Sequence, residues 1–143
     1  MPSRGQGSDA AAIERMLAAR RIAIVGLSDD PSRPSYEIAA YLRAAGYAII
    51  PVNPTHATVM GMPSYASLKD VPGEIDVVNV FRRPEFCTDV TRDAIAAGAK
   101  GVWLQSGIRN EEARSLAASA GIDFVQDRCI MVEHRGIRMK AEG

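Results

Sequence analysis

The chain has 143 residues, with 17 basic and 17 acidic side chains and a formal net charge of zero. That length predicts one domain with a real core, and 47% apolar with 24% charged residues is a globular rather than a disordered composition. Neutral charge argues against non-specific nucleic-acid binding, no run approaches the roughly 18 apolar residues of a membrane helix, and two cysteines make no disulfide scaffold.

Residues 1–8 are polar and rich in Ser and Gly, without the apolar centre of a signal peptide. They read as a flexible arm before a domain over 9–136, and the whole as cytoplasmic. Ser8 is placed to cap a helix to about Arg20, with Ile13, Met16, Leu17 and Arg20 on one face. Ile22-Ala23-Ile24-Val25-Gly26 is then a short, β-branched apolar run, as expected of a strand buried on both faces. A Gly/Ser/Asp/Pro loop leads to Ser35, a candidate cap for a helix carrying Ile38, Tyr41, Leu42 and Ala45 and stopping at Gly46. Tyr47 to Val52 is a second strand.

The alternation recurs. Asp76 to Phe81 reads as a strand, Pro84 to Ala97 as a helix, and Gly101 to Leu104 as a strand. Asn110 can cap a helix ending at Gly121, and Ile122 to Val125 closes the series. Residues 137–143 read as a short, charged, frayed tail. Only Thr55 to Ile75 breaks the rhythm; Gly61, Pro63, Pro72 and Gly73 punctuate it, leaving space for one helical turn at Tyr65 to Lys69. Strand–helix alternation predicts an α/β domain, a Rossmann-like five-stranded, mainly parallel sheet with helices on both faces. A flavodoxin-like strand order fits the pattern nearly as well.

Ligands of such sheets lie beyond the carboxyl ends of the strands, which selects four loops. The first reads Gly26-Leu27-Ser28-Asp29-Asp30-Pro31-Ser32-Arg33-Pro34-Ser35-Tyr36. It has the first glycine of a dinucleotide fingerprint but not the second or third. It ends at a helix N-terminus suited to a phosphate, with Arg33 as an added donor, while Asp29 and Asp30 repel a pyrophosphate unless they point to solvent. The second, Asn53-Pro54-Thr55-His56, lacks the acid that a classical NAD site places after its second strand; His56 is a phosphate contact or an exposed loop residue. The third, Phe81-Arg82-Arg83-Pro84, offers a ring to a purine and guanidinium groups to phosphates. In the fourth, Gln105 can orient a polar group, Ser106 follows it, and Gly107 permits close backbone approach. Cys129 and His134 are near enough in sequence for a nucleophile pair, against a default of packing roles for both Cys87 and Cys129. No metal-ligating constellation is present in the sequence.

Together, Gly26-Leu27-Ser28 with Arg33-Pro34-Ser35-Tyr36, Pro51-Val52-Asn53-Pro54, Val80-Phe81-Arg82-Arg83, Trp103 to Ile108 and Asp127-Arg128-Cys129 closely resemble the stand-alone CoA-binding domain family. That family is similar to the N-terminal domain of the succinyl-CoA synthetase alpha subunit, and the resemblance runs from about Arg21 to His134. It implies a Rossmann-type fold binding coenzyme A or an acyl-CoA. In the synthetase relatives the contacts map onto the segment from Ser28, onto Thr55 or His56, and onto Leu104 to Gly107. Asp29 and Asp30 stand where those relatives have small or amidic residues. His134 does not match the relatives' phosphohistidine motif, and the chain ends before their second domain, so the resemblance implies a ligand rather than a reaction. The expectation is a CoA-binding protein, non-catalytic on its own, working as a homodimer or with an unknown protein partner. Two readings stand beside it: a CoA-ligase-like half with a separate catalytic partner, and a regulatory module responding to NAD or ADP.

Overall fold

A computed structural model describes residues 9–142; the arm expected at 1–8, with its Ser8 cap, lies outside the described residues. The described chain runs α1 (Asp9–Leu17), β1 (Arg21–Val25), α2 (Pro34–Ala44), β2 (Ala48–Val52), β3 (Thr58–Val59), β4 (Met62–Pro63), β5 (Val77–Val80), α3 (Cys87–Ala96), β6 (Gly101–Leu104), α4 (Glu111–Ala120), β7 (Asp123–Val125) and α5 (Ile130–Glu142). Five strands form one sheet in the order β2-β1-β5-β6-β7, and every neighbouring pair is parallel. The predicted Rossmann-like α/β architecture is therefore the one observed.

The strand order settles the choice between the two expected topologies. Taken alone, the five strands run in the flavodoxin-like order. Beyond the outer edge of β2, however, Tyr65 makes a single parallel bridge to Val52. Its N–H donates to the Pro51 carbonyl (3.0 Å), and its carbonyl accepts from the Asn53 N–H (2.9 Å). Tyr65 stands where the third strand of the Rossmann order belongs, reduced to one residue.

The pleat divides the core in two. Ala23, Val25, Val78, Val80, Val102 and Leu104 face α3 and α4, while Ile22, Ile24, Val77 and Trp103 face α1, α2 and α5. Every residue of β5 and β6 is buried, which is why these strands read as near-continuous apolar runs, broken in β5 by Asn79, rather than alternating ones.

Three expectations need correction. Ser35 does not cap α2. Proline's fixed φ suits the first helical position, so Pro34 opens the helix with Arg33 as N-cap. Ser35 sits inside the first turn, 5% exposed, with its hydroxyl accepting from the Ser28 N–H (3.0 Å). The frayed tail is instead the continuation of α5, a helix with only its first residue, Ile130, fully buried and a glycine at 136. With so little of it buried, its apolar periodicity is weak. The break at 55–75 holds an antiparallel β3–β4 hairpin, turned by Met60 (φ 54°) and Gly61 (φ 74°), and a 3-10 turn at Leu68–Asp70. Two central residues with positive φ match the twist of a hairpin, but Met60 carries none of the usual sequence signal for that geometry.

Asn110 joins several of these elements. Its side-chain oxygen caps α4 by accepting from the Ala113 N–H (2.9 Å), while its amide donates to the Pro84 carbonyl (2.8 Å) and Thr88 Oγ1 (3.0 Å). Its own N–H donates to Gln126 Oε1 (2.8 Å). Asn110→Ala is expected to cost about 1–2 kcal/mol in urea unfolding. Asn110→Asp keeps the cap and loses the two amide donations, so it should fall between the two proteins.

Candidate functional site

Strand order reverses between β1 and β5, the place where open α/β sheets present a crevice. Gly26 leaves β1 at φ 85°, and a Cβ there would collide with the Phe81 carbonyl just after β5. The contact is locked from both sides. The Gly26 N–H donates to the Val52 carbonyl (3.0 Å), and the Phe81 N–H donates to that of Val25 (2.9 Å). Two grooves meet at this glycine. One, of about 400 Å3, runs along Ser28, Arg33, Pro34, Ser35 and Phe81. The other, of about 340 Å3, lies between Asn53, Pro54, Ala66 to Leu68, Arg82, Val90 and Asp93.

The first groove has the features of an anion site. α2 begins without a side-chain cap; Pro34 has no N–H and the Tyr36 N–H donates to the Arg33 carbonyl (3.1 Å), so the Ser35 N–H and the helix dipole are what the first turn offers an anion. The Arg33 side chain is exposed beside it. The two acids that seemed to oppose a pyrophosphate are both engaged. Asp29 accepts from the Met60 N–H (2.8 Å), which ties the loop to the β3–β4 turn. Asp30 accepts from the Ser32 N–H (2.9 Å) and hydroxyl (2.8 Å), and those bonds hold its carboxyl below the usual range. Ser28 spans the loop: its N–H reaches Ser35 and its hydroxyl accepts from the Asp30 N–H (3.0 Å). Leu27 is fully buried and presents only backbone here; Tyr36 is half-buried.

The second groove uses the other loops. Asn53 braces rather than projects: its amide donates to the Leu27 carbonyl (3.0 Å), and its oxygen accepts from the Thr55 N–H (2.9 Å) and hydroxyl (2.7 Å). His56 is exposed, with Nδ1 2.8 Å from Thr55 Oγ1. Arg82 is half-buried and lies over the Phe86 ring, 4.5 Å from its centre; Arg83 is exposed.

The fourth loop is shaped from a distance. Gly107 has φ 82°, and its N–H donates to Asp127 Oδ1 (2.7 Å). That bond, reinforced by Arg109 at 3.3 Å, holds the Asp127 carboxyl below the usual range. Ser106 is exposed, whereas Gln105 is 3% exposed and donates to Asn79 Oδ1 (2.5 Å). Asp127 was read only as part of a family motif, and Asn79 and the groove residues Ser67, Leu68 and Asp93 escaped the sequence reading as site residues. The short turn at Tyr65 to Lys69 was the one signal for Ser67 and Leu68; Asp93 had none.

The sulfur chemistry is muted. Cys87 is fully buried, and burial pushes its thiol up to about 11. His134 Nδ1 lies 2.7 Å from the Tyr41 hydroxyl, with the Tyr41 and Tyr47 rings edge-on to the imidazole. Burial lowers its pKa, with Arg138 adding to the effect. The geometry thus gives His134 to Tyr41.

A family model described as a CoA binding domain matches residues 20–135. The uncharacterized protein YneT of Bacillus subtilis is 42% identical over 121 residues, covering 85% of this chain and 90% of its own. The ADP-forming acetate–CoA ligase II subunit alpha of Pyrococcus furiosus is 27% identical over 85% of this chain, which spans only 29% of that subunit. Among solved structures, a hypothetical protein from Pyrococcus horikoshii OT3 superposes with a TM-score of 0.87 at 35% identity, covering 96% of this chain and 97% of that one. The apo dinucleotide-forming acetyl-coenzyme A synthetase 1 of Ca. Korarchaeum cryptofilum gives 0.70 at 30% identity, over 80% of this chain and 28% of that one.

Two outcomes follow from the geometry. Gly26→Ala is expected to cost on the order of 1–3 kcal/mol in thermal or urea unfolding, because positive φ and the Phe81 carbonyl both oppose a side chain. At pH 8 a thiol reagent should modify Cys129 and leave Cys87 untouched until the protein unfolds, since the Cys87 thiolate is scarce below about 11. Peptide mapping of the alkylated protein reads both sites.

Proposed function

This chain belongs to the CoA-binding domain family, and from that premise we propose that it binds coenzyme A or an acyl-CoA in the crevice at Gly26. The observation that carries the reading is the meeting of two grooves there, one beneath an uncapped helix N-terminus and one beside a half-buried arginine. The diphosphate rests on the first turn of α2, near Ser28, Ser35 and Arg33. The adenosine lies in the second groove, over Pro54 and against Val52 and Leu68. Arg82 and Arg83 neutralise the 3′-phosphate, a task suited to planar guanidinium groups. The chain acts by binding in the cytoplasm, not by catalysis on its own. A raised Cys87 pKa and a His134 held by Tyr41 support that part of the reading.

A second reading has one observation in its favour: the relatedness to CoA-ligase subunits, of which this chain spans a fraction. Under it the chain is the CoA-holding part of an assembly whose catalytic partner is a separate ATP-dependent subunit. Stable co-purification with such a subunit would favour it.

Calorimetric titration tests the first reading. Saturable one-to-one binding of coenzyme A is expected, weaker for dephospho-CoA and weaker still for NAD. The absence of heat and of thermal stabilisation at millimolar coenzyme A would overturn it. Arg82→Ala with Arg83→Ala should lower coenzyme A affinity about tenfold or more while sparing dephospho-CoA. Equal losses on the two ligands would remove the 3′-phosphate from these arginines.

A further inference from the structure

Asn79 is fully buried in the middle of β5, between Ile24 of β1 and Trp103 of β6. Both neighbouring strands are saturated with apolar side chains. An amide in such a place is expensive unless every polar atom is paired. Its oxygen is paired, by Gln105 Nε2 at 2.5 Å, but its Nδ2 has no partner among the described residues. Gln105 is itself only 3% exposed. The two amides form an isolated polar pair with an unused donor.

Their place in the fold gives that donor a use. The alternation that sends Val77, Phe81 and Trp103 toward α1, α2 and α5 sends Asn79 and Gln105 to the same side. Phe81 is the next residue on that face, and it lines the groove at the α2 N-terminus. It is half-buried, two residues beyond Asn79, and borders the open groove of about 400 Å3. A ligand arm reaching the pair from that groove has to turn this ring aside.

We infer that the Asn79–Gln105 pair, beneath Phe81, is the subsite for the amide-bearing arm of a CoA-type ligand, with Asn79 Nδ2 donating to a carbonyl of that arm. This rests on the proposed function and extends it. A nucleotide contributes phosphates and a base, which the exposed grooves serve. The arm contributes secondary amides and, when acylated, a thioester, which are neutral carbonyl acceptors suited to a neutral buried donor. A charged residue at 79 would be unsuited to this task, because a position with no exposure penalises an uncompensated charge.

The test compares coenzyme A with adenosine 3′,5′-bisphosphate, its nucleotide half without the arm. Asn79→Leu with Gln105→Met replaces both amides by apolar groups of similar size, which is expected to leave the fold intact. The double variant should bind the bisphosphate as the unmutated chain does and lose about tenfold in coenzyme A affinity. Unchanged coenzyme A affinity would overturn the inference, as would an unmutated chain that binds the two ligands equally. Failure of the unmutated chain to bind either ligand overturns the proposed function itself, and is thereby distinguishable. Should the variant not fold, the side-chain amide resonances of the unmutated protein decide. The Asn79 Nδ2 signal is expected to shift with coenzyme A and to stay in place with the bisphosphate. A signal unmoved by coenzyme A would assign the donor to a buried water instead.

Discussion

The approach of Gly26 to the Phe81 carbonyl is the constraint on which the site depends. A parallel sheet leaves its strand ends at a fixed spacing, and the following loops must diverge or touch. Here they touch, because residue 26 has no side chain and adopts φ 85°. With a Cβ at that position the first and third loops would separate, and both grooves share that wall. The same contact lets the chain turn sharply out of β1, so that α2 starts above the strand end with its N-terminus over the crevice. Gly46, Gly98 and Gly121 follow helix ends and Gly61 turns a hairpin; Gly26 brings the first and third loops together.

Around that point the polar groups are spent on holding loops in place. Asp29, Asp30, Asn53 and Asp127 each accept one or more hydrogen bonds from nearby N–H or hydroxyl groups. The acids therefore act as local acceptors while keeping their charge, and with Asp93 lining the second groove the cations Arg33, Arg82 and Arg83 share the crevice with negative groups. An acid in a phosphate loop looks hostile when counted as a charge. Counted as an acceptor, it is the element that gives the loop its shape.

Much of this was legible in the chain. Short β-branched runs between capped helices indicate a parallel sheet, and the rule about strand carboxyl ends selects all four loops without structural help. Most of what was not legible depends on contacts between distant residues or on burial that the pattern does not announce. Asn110 could be read as a cap, but not as the donor to Pro84 and Thr88. Ser35 looks like a cap until Pro34 is seen to take the first helical position. α5 is long, yet little of it is buried, so no strong periodicity announces it. Tyr65 belongs to a strand of one residue, below the length at which any pattern exists. Asn79 in an otherwise apolar strand was visible but carried no meaning until its orphaned donor and its position below Phe81 were known.

Pro51 adds a consequence at the sheet's outer margin. In a strand, a residue's N–H and C=O point to the same side, and the Pro51 carbonyl faces outward to Tyr65. The position that would offer an outward donor in the middle of β2 therefore offers none. Tyr65 takes the acceptor beside it and the Asn53 donor beyond. One imino acid and one bridging residue thus interrupt the edge at its Pro51–Asn53 end, shortening the row of backbone groups a further strand could pair with. A complete third strand would have covered that flank too, but it would have filled the space from which Ala66, Ser67 and Leu68 now wall the second groove. Stopping the sheet short leaves the pocket its wall.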